Sequence, residues 1–141
     1  MRFIFLAVIA FVALAPTAAQ AKTWTITHDE GGYLQIYYEK VQAINKRQDL
    51  VRIDGPCVSA CTMYLGADRL CITDRAAFYF HAARATGKMT KADWELVRRW
   101  DDMTLPAWVH KWIKDNDAYA SVASLKLMPA AYAMKYIPKC K

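Results

Sequence analysis

The sequence predicts a small α/β domain: a mostly parallel sheet made from βαβ units, flanked by helices, with a helical C-terminal part. Three observations predict it. Two strand-like runs, β-branched and aromatic at 24–27 and aliphatic at 50–53, enclose a stretch in which Leu34, Tyr37, Tyr38, Val41 and Ile44 recur with a helical period. Residues 59–65 are apolar on every side, as a buried helix would be. Past two further short strands the pattern turns helical, with four of the five tryptophans in 94–112.

In chain order, Trp24 to Thr27 reads as a strand and His28-Asp29-Glu30-Gly31-Gly32 as a tight turn whose glycines permit positive φ. Residues 33–47 form an amphipathic helix and 50–53 the return strand, so the two strands are expected to be parallel. Gly55-Pro56-Cys57 reads as a sharp turn into the buried helix, which Ser59 opens. Strands follow at 69–72 and 76–80, the second ending at His81. Thr90 with Asp93 is a helix-start signal for 91–103. Pro106 suits the first turn of a helix over 106–114, which Asp115-Asn116-Asp117 breaks, and Pro129 opens a last helix over 129–136. The Trp-rich helices are expected to pack over the sheet, with a homo-oligomer contact as the alternative use of that face.

The hydrophobic excess is concentrated at the start. Residues 1–21 hold a basic Arg2, a 13-residue apolar run from Phe3 to Ala15, and the small-x-small end Ala19-Gln20-Ala21. That is the pattern of a secretory signal peptide cleaved after Ala21. The run is short of the roughly 20 residues a membrane span needs, so no stable membrane anchor is expected. Removing 21 of 141 residues leaves 22–141 as one domain of 120 residues with a net charge of +5. That charge is scattered and offers no stripe suited to nucleic acid.

Export places Cys57, Cys61, Cys71 and Cys140 in an oxidising compartment, periplasmic or extracellular, where two disulfides with three pairings are open. Cys-x3-Cys with two distant partners is poor zinc spacing, and it is not the Cys-x-x-Cys of thiol oxidoreductases. His28, His81 and His110 have no metal-ligand spacing, so no metal or cofactor is expected.

Chemistry-bearing residues stand at predicted strand ends. Ser59, at a helix N-terminus, lies among unpaired N–H groups and a positive dipole, where a serine can be presented to a carbonyl. His81 is a candidate base for its proton, and the N–H groups of Gly32 and Ala60 are candidate donors to an oxyanion. Taken together and in order, these features resemble the Clp protease proteolytic subunit and crotonase superfamily, closest to its small exported members. The resemblance covers residues 23–82 and, loosely, 127–137. Asp29-Glu30-Gly31-Gly32 stands where that family has Ser-Pro-Gly-Gly, Gly55-Pro56-Cys57-Val58-Ser59-Ala60 matches its Gly-x-x-x-Ser-small nucleophile turn, and Phe78-Tyr79-Phe80-His81 matches the strand carrying its base histidine.

The resemblance implies a reduced ClpP/crotonase-like fold and peptide-bond hydrolysis through an acyl-enzyme. Ser59 would be the nucleophile and His81 the general base, with the Gly31-Gly32 loop and Ala60 forming the oxyanion hole and a peptide or protein as the partner. It also implies a third, acidic member. The stretch 119–127 holds no acid, so Asp117 is the candidate, with Asp115 second. Asp29 and Glu30 place two acids beside the expected oxyanion hole, which favours the alternative of an inactive relative that holds a peptide or protein in the same crevice. In the same frame the expected bridges are Cys61–Cys71 and Cys57–Cys140.

Overall fold

The computed structural model describes residues 20–85 and 87–141. The expected signal segment, residues 1–21, falls almost wholly outside them. The fold is α/β with two disulfides, both fitting an exported protein. No helix among the described residues is long and apolar enough to cross a membrane.

Strand β1 (Thr23–Ile26) leads through helix α1 (Leu34–Arg47) to β2 (Leu50–Ile53), and the two strands are parallel. Helix α1 buries Tyr37, Val41 and Ile44, spaced at four and three residues, against the sheet. Its C-terminal end is tied to the start of β1 by Asp49. That buried carboxylate accepts from the Lys22 amide, the Trp24 indole N–H and the Arg47 guanidinium, each at 2.9 Å. Strand β4 (Leu70–Ile72) pairs in parallel with β2, so the first sheet runs β1-β2-β4.

The expected single sheet is in fact two. Residues Pro56–Val58, read as a turn, form strand β3, which pairs in parallel with β5 (Ala77–Phe80). Strand β6 (Lys126–Pro129) adds antiparallel to β5. The last helix, expected over 129–136, is α4 (Ala130–Ala133): β6 takes Pro129, and residues 134–136 continue as turns in which the Tyr136 and Ile137 amides donate to the Ala133 carbonyl. The chain passes from β2 into β3 at Gly55, where a Cβ would lie 1.9 Å from the Thr27 carbonyl oxygen. Only glycine fits that corner. Asp54 braces it by accepting from Thr73 Oγ1 and Arg75. Phe78, Phe80, Val51, Ile53, Ile72 and Met128 are fully buried between the layers.

Residues 59–66 are the expected buried helix, in 3-10 geometry (Ser59–Gly66). Helix α2 (Lys91–Thr104) begins at a reciprocal cap between Thr90 and Asp93 and packs on α1, with Trp100 stacked on Tyr38. Helix α3 (Ala107–Asp115) follows Pro106. Trp108 stacks on Tyr136 at 4.5 Å, and Trp112 packs on Phe80 and Tyr132. These two tryptophans therefore serve internal packing.

Both expected disulfide pairings are wrong. The bridges are Cys57–Cys61 and Cys71–Cys140. The helix leaves β3 so abruptly that Cys61 returns to within 5.2 Å of Cys57, Cα to Cα. The C-terminal tail runs beside β4, with the Cys140 amide donating to the Ile72 carbonyl, and this sets Cys140 against Cys71. The tail thereby covers an edge of the first sheet.

Two outcomes are expected. Replacing Cys71 and Cys140 by Ala opens a link between residues 69 apart and should lower unfolding free energy by about 4 kcal/mol, read by urea denaturation. Hydrogen bonds and the neighbouring arginines hold the Asp49 and Asp54 carboxyls at about 2, below the ordinary 3.8. Their contribution is complete above pH 4 and drains away as pH falls toward 2. Melting temperature should drop over that interval, and less steeply in Asp49→Asn.

Candidate active site

Register brings the predicted residues together. Asp29 bridges Cys57 in parallel on one side of β3, and Val58 sits opposite Tyr79 of β5 on the other. Gly31-Gly32, Ser59 and His81 therefore follow the carboxyl ends of three adjacent parallel segments, where the crevice of an open α/β sheet lies.

Ser59 is the turn residue between strand and helix. Its φ is +57°, a left-handed conformation uncommon for serine. Gly31 lies directly against it: a Cβ on Gly31 would fall 2.5 Å from the Val58 carbonyl oxygen and 2.9 Å from both the Ala60 nitrogen and Ser59 Cβ. A serine held in such a strand-to-helix turn exposes its hydroxyl. Ser59 indeed lines the cleft, while Thr62 Oγ1 donates to its carbonyl.

His81 lines the same cleft. Its Nδ1 lies 2.7 Å from the Ala82 carbonyl oxygen. An acceptor at that position calls for a proton on Nδ1, which leaves Nε2 as the basic nitrogen. Among the described residues no hydrogen bond joins His81 to Ser59 or to an acid.

The acids are placed differently from expectation. Asp117 is exposed on the left-handed turn that ends α3, and Asp115 pairs with Lys111 at 2.6 Å on the surface. Neither lines the cleft. The carboxyl that does is Asp101, on α2. Tyr119 donates to both its oxygens, at 3.1 and 3.3 Å, and burial pushes its pKa above the usual carboxylate range. The sequence carried a signal for it: Trp94, Val97, Arg98 and Asp101 share one helical stripe, and all four line the cleft.

Gly31 is not an oxyanion donor. Its N–H is given to Asp29 Oδ1 at 2.8 Å, and the same oxygen accepts from Tyr37 Oη at 2.6 Å. The Asp29 charge is thus engaged in its own loop, and it raises the Tyr37 pKa, after burial the next cause. Glu30 pairs with exposed His28 at 2.5 Å. Gly32 and Ala60 are left as the donor candidates: Gly32 lines the groove, and Ala60, second in its helix, has an N–H beyond intrahelical pairing.

The cleft encloses about 340 Å³ and is walled by Leu34, Phe80, Trp94 and Val97. It continues into a wider groove of about 930 Å³ between α1 and α2, lined by Tyr33, Ile36, Leu96 and Trp100. Among the described residues no cluster of three His, Cys, Asp or Glu is placed to hold a metal ion.

Gly31→Ala should displace the Ser59 turn, since the new methyl meets backbone rather than a flexible side chain. A drop in melting temperature together with shifted Ser59 and Ala60 amide resonances is the expected result. Compared with known proteins, the chain matches no family model and no curated protein.

Proposed function

We propose that the protein is an exported serine hydrolase, peptidase-like, of a reduced ClpP/crotonase-like type. The observation that carries this reading is the left-handed Ser59, backed by Gly31 and sharing a cleft with a histidine whose Nδ1 is engaged by a backbone carbonyl. The two disulfides support a periplasmic or secreted setting.

In the proposed reaction Ser59 Oγ attacks the carbonyl carbon of a peptide bond. Its proton passes to His81 Nε2, and the negative oxygen is met by the N–H groups of Gly32 and Ala60. The imidazolium then gives the proton to the leaving amine, and water releases the acyl group by the reverse path. The Ala82 carbonyl fixes the imidazole tautomer, the task an acid has in a triad. Rotation of the Ser59 and His81 side chains closes their hydrogen bond when substrate binds. The apolar groove between α1 and α2 receives the substrate chain.

One observation favours a second reading, a non-catalytic binder of peptide or protein in the same crevice: the absence of a Ser59–His81 hydrogen bond among the described residues. A fluorophosphonate probe separates the two. Covalent labelling of the oxidised protein, abolished in Ser59→Ala, strongly reduced in His81→Ala and unchanged in Asp117→Asn, is expected of the hydrolase. Folded protein that stays unlabelled would sink that reading.

A further inference from the structure

We propose that the Cys57–Cys61 disulfide is the positioning element of the Ser59 turn, so that Ser59 becomes a competent nucleophile only after this bond has formed. The proposal rests on the hydrolase reading and adds a redox condition to it. The two cysteines flank Ser59 two residues to either side, and both are fully buried.

The chain enters extended at Val58, with φ −108° and ψ 142°, and leaves in the helix at Ala60. Ser59 makes the change in a left-handed conformation that serine does not prefer, so its neighbours must hold it there. Gly31 supports it from the side of the glycine loop. On the core side, Cys57 is locked into the β3–β5 ladder and its sulfur holds Cys61, in the first turn of the helix.

Without that link, only the backbone of the turn itself joins the first helical turn to the strand. The 3-10 geometry of the helix gives it weaker hydrogen bonds than an α-helix. The turn then relaxes to negative φ at Ser59. Because Ser59 carries the hydroxyl and the adjoining peptide carries the Ala60 N–H, nucleophile and oxyanion donor leave their positions together. The other disulfide, joining residues 69 apart, ties down the C-terminal tail and bears only on global stability.

Formation of the bond is thiol–disulfide exchange with a disulfide donor such as a dithiol–disulfide oxidoreductase. One cysteine thiolate attacks the donor disulfide to give a mixed disulfide, and the second cysteine displaces the donor. The S–S bond of the donor is broken and that of Cys57–Cys61 formed. The electron pair and both protons end on the two donor thiols. The hydrolase is therefore silent while its thiols are reduced and active in an oxidising compartment.

The test compares fluorophosphonate labelling per folded molecule in the oxidised wild type, in Cys57→Ala/Cys61→Ala and in Cys71→Ala/Cys140→Ala. The first variant should label about 100-fold more slowly, the scale of a nucleophile displaced by an ångström. The second should label at the wild-type rate although it is less stable. By NMR, the Ser59 amide-to-α coupling and Cα shift should leave the left-handed range in the first variant only. Undiminished labelling, or a Ser59 that stays left-handed, overturns the proposal. If the first variant does not fold, partly reduced wild type is alkylated and mapped by mass spectrometry. Labelling must then track the fraction of Cys57–Cys61 bonds, and labelling that tracks Cys71–Cys140 instead overturns the proposal. A wild type that never labels defeats the hydrolase reading, and the Ser59 backbone measurement alone then decides the clamp.

Discussion

At Gly55 the chain crosses over the Thr27 carbonyl with no room for a side chain, and β2 of the first sheet becomes β3 of the second. A parallel crossing takes β4 into β5, and the two corners are laced together. Asp54 N–H donates to the Ile26 carbonyl and Thr73 N–H to the Ile53 carbonyl, while the Asp54 carboxylate takes Thr73 and Arg75. This bend lets two short sheets act as one continuous layer. It also sets the ends of the Asp29 segment, β3 and β5 side by side, and the candidate site occupies that edge. A substituent at Gly55 would meet the Thr27 backbone and force the join between β2 and β3 to shift.

The electrostatics of the edge follow from how the loop acids are engaged. Asp29 is turned back on the Gly31 amide and the Tyr37 hydroxyl, and Glu30, which lines the wider groove, pairs with His28. The two acids that stand beside the glycine pair in the sequence are therefore engaged within their own loop. The acid that does face the cleft, Asp101, comes from the opposite wall and is held by Tyr119 rather than by His81. Its position against the cleft wall raises its pKa from the ordinary carboxylate value, with desolvation as the largest cause and the Tyr119 hydroxyl opposing it.

The C-terminal half supplies cover more than chemistry. Helix α2 closes the cleft with one stripe and packs on α1 with Trp100. The stack of Trp108, Tyr132 and Tyr136 fastens α4 to α3. The tail beyond it pairs with β4, is bonded through Cys140, and carries Lys139 to Asp74. These contacts finish a sheet of only three strands that would otherwise present an open edge.

Elements with a strong local period were legible in the sequence: α1 through Tyr37, Val41 and Ile44, α2 through its Thr90–Asp93 cap, and the strands of the first βαβ unit. The residues at the candidate site were legible as well, because glycine pair, serine and histidine each stand at a strand end. Strand β3 was hidden, since three residues containing a proline have no periodicity of their own and gain strand geometry only from β5 and Asp29. The same holds for β6, whose partner lies some fifty residues upstream. The disulfide pairing, the dismissal of Asp117 and the arrival of Asp101 were decided by the tertiary structure alone. Local sequence sets which backbone conformations are cheap. Which cysteine meets which, and which acid faces a cleft, depends on contacts between segments far apart in the chain, and these exist only once the layers have packed.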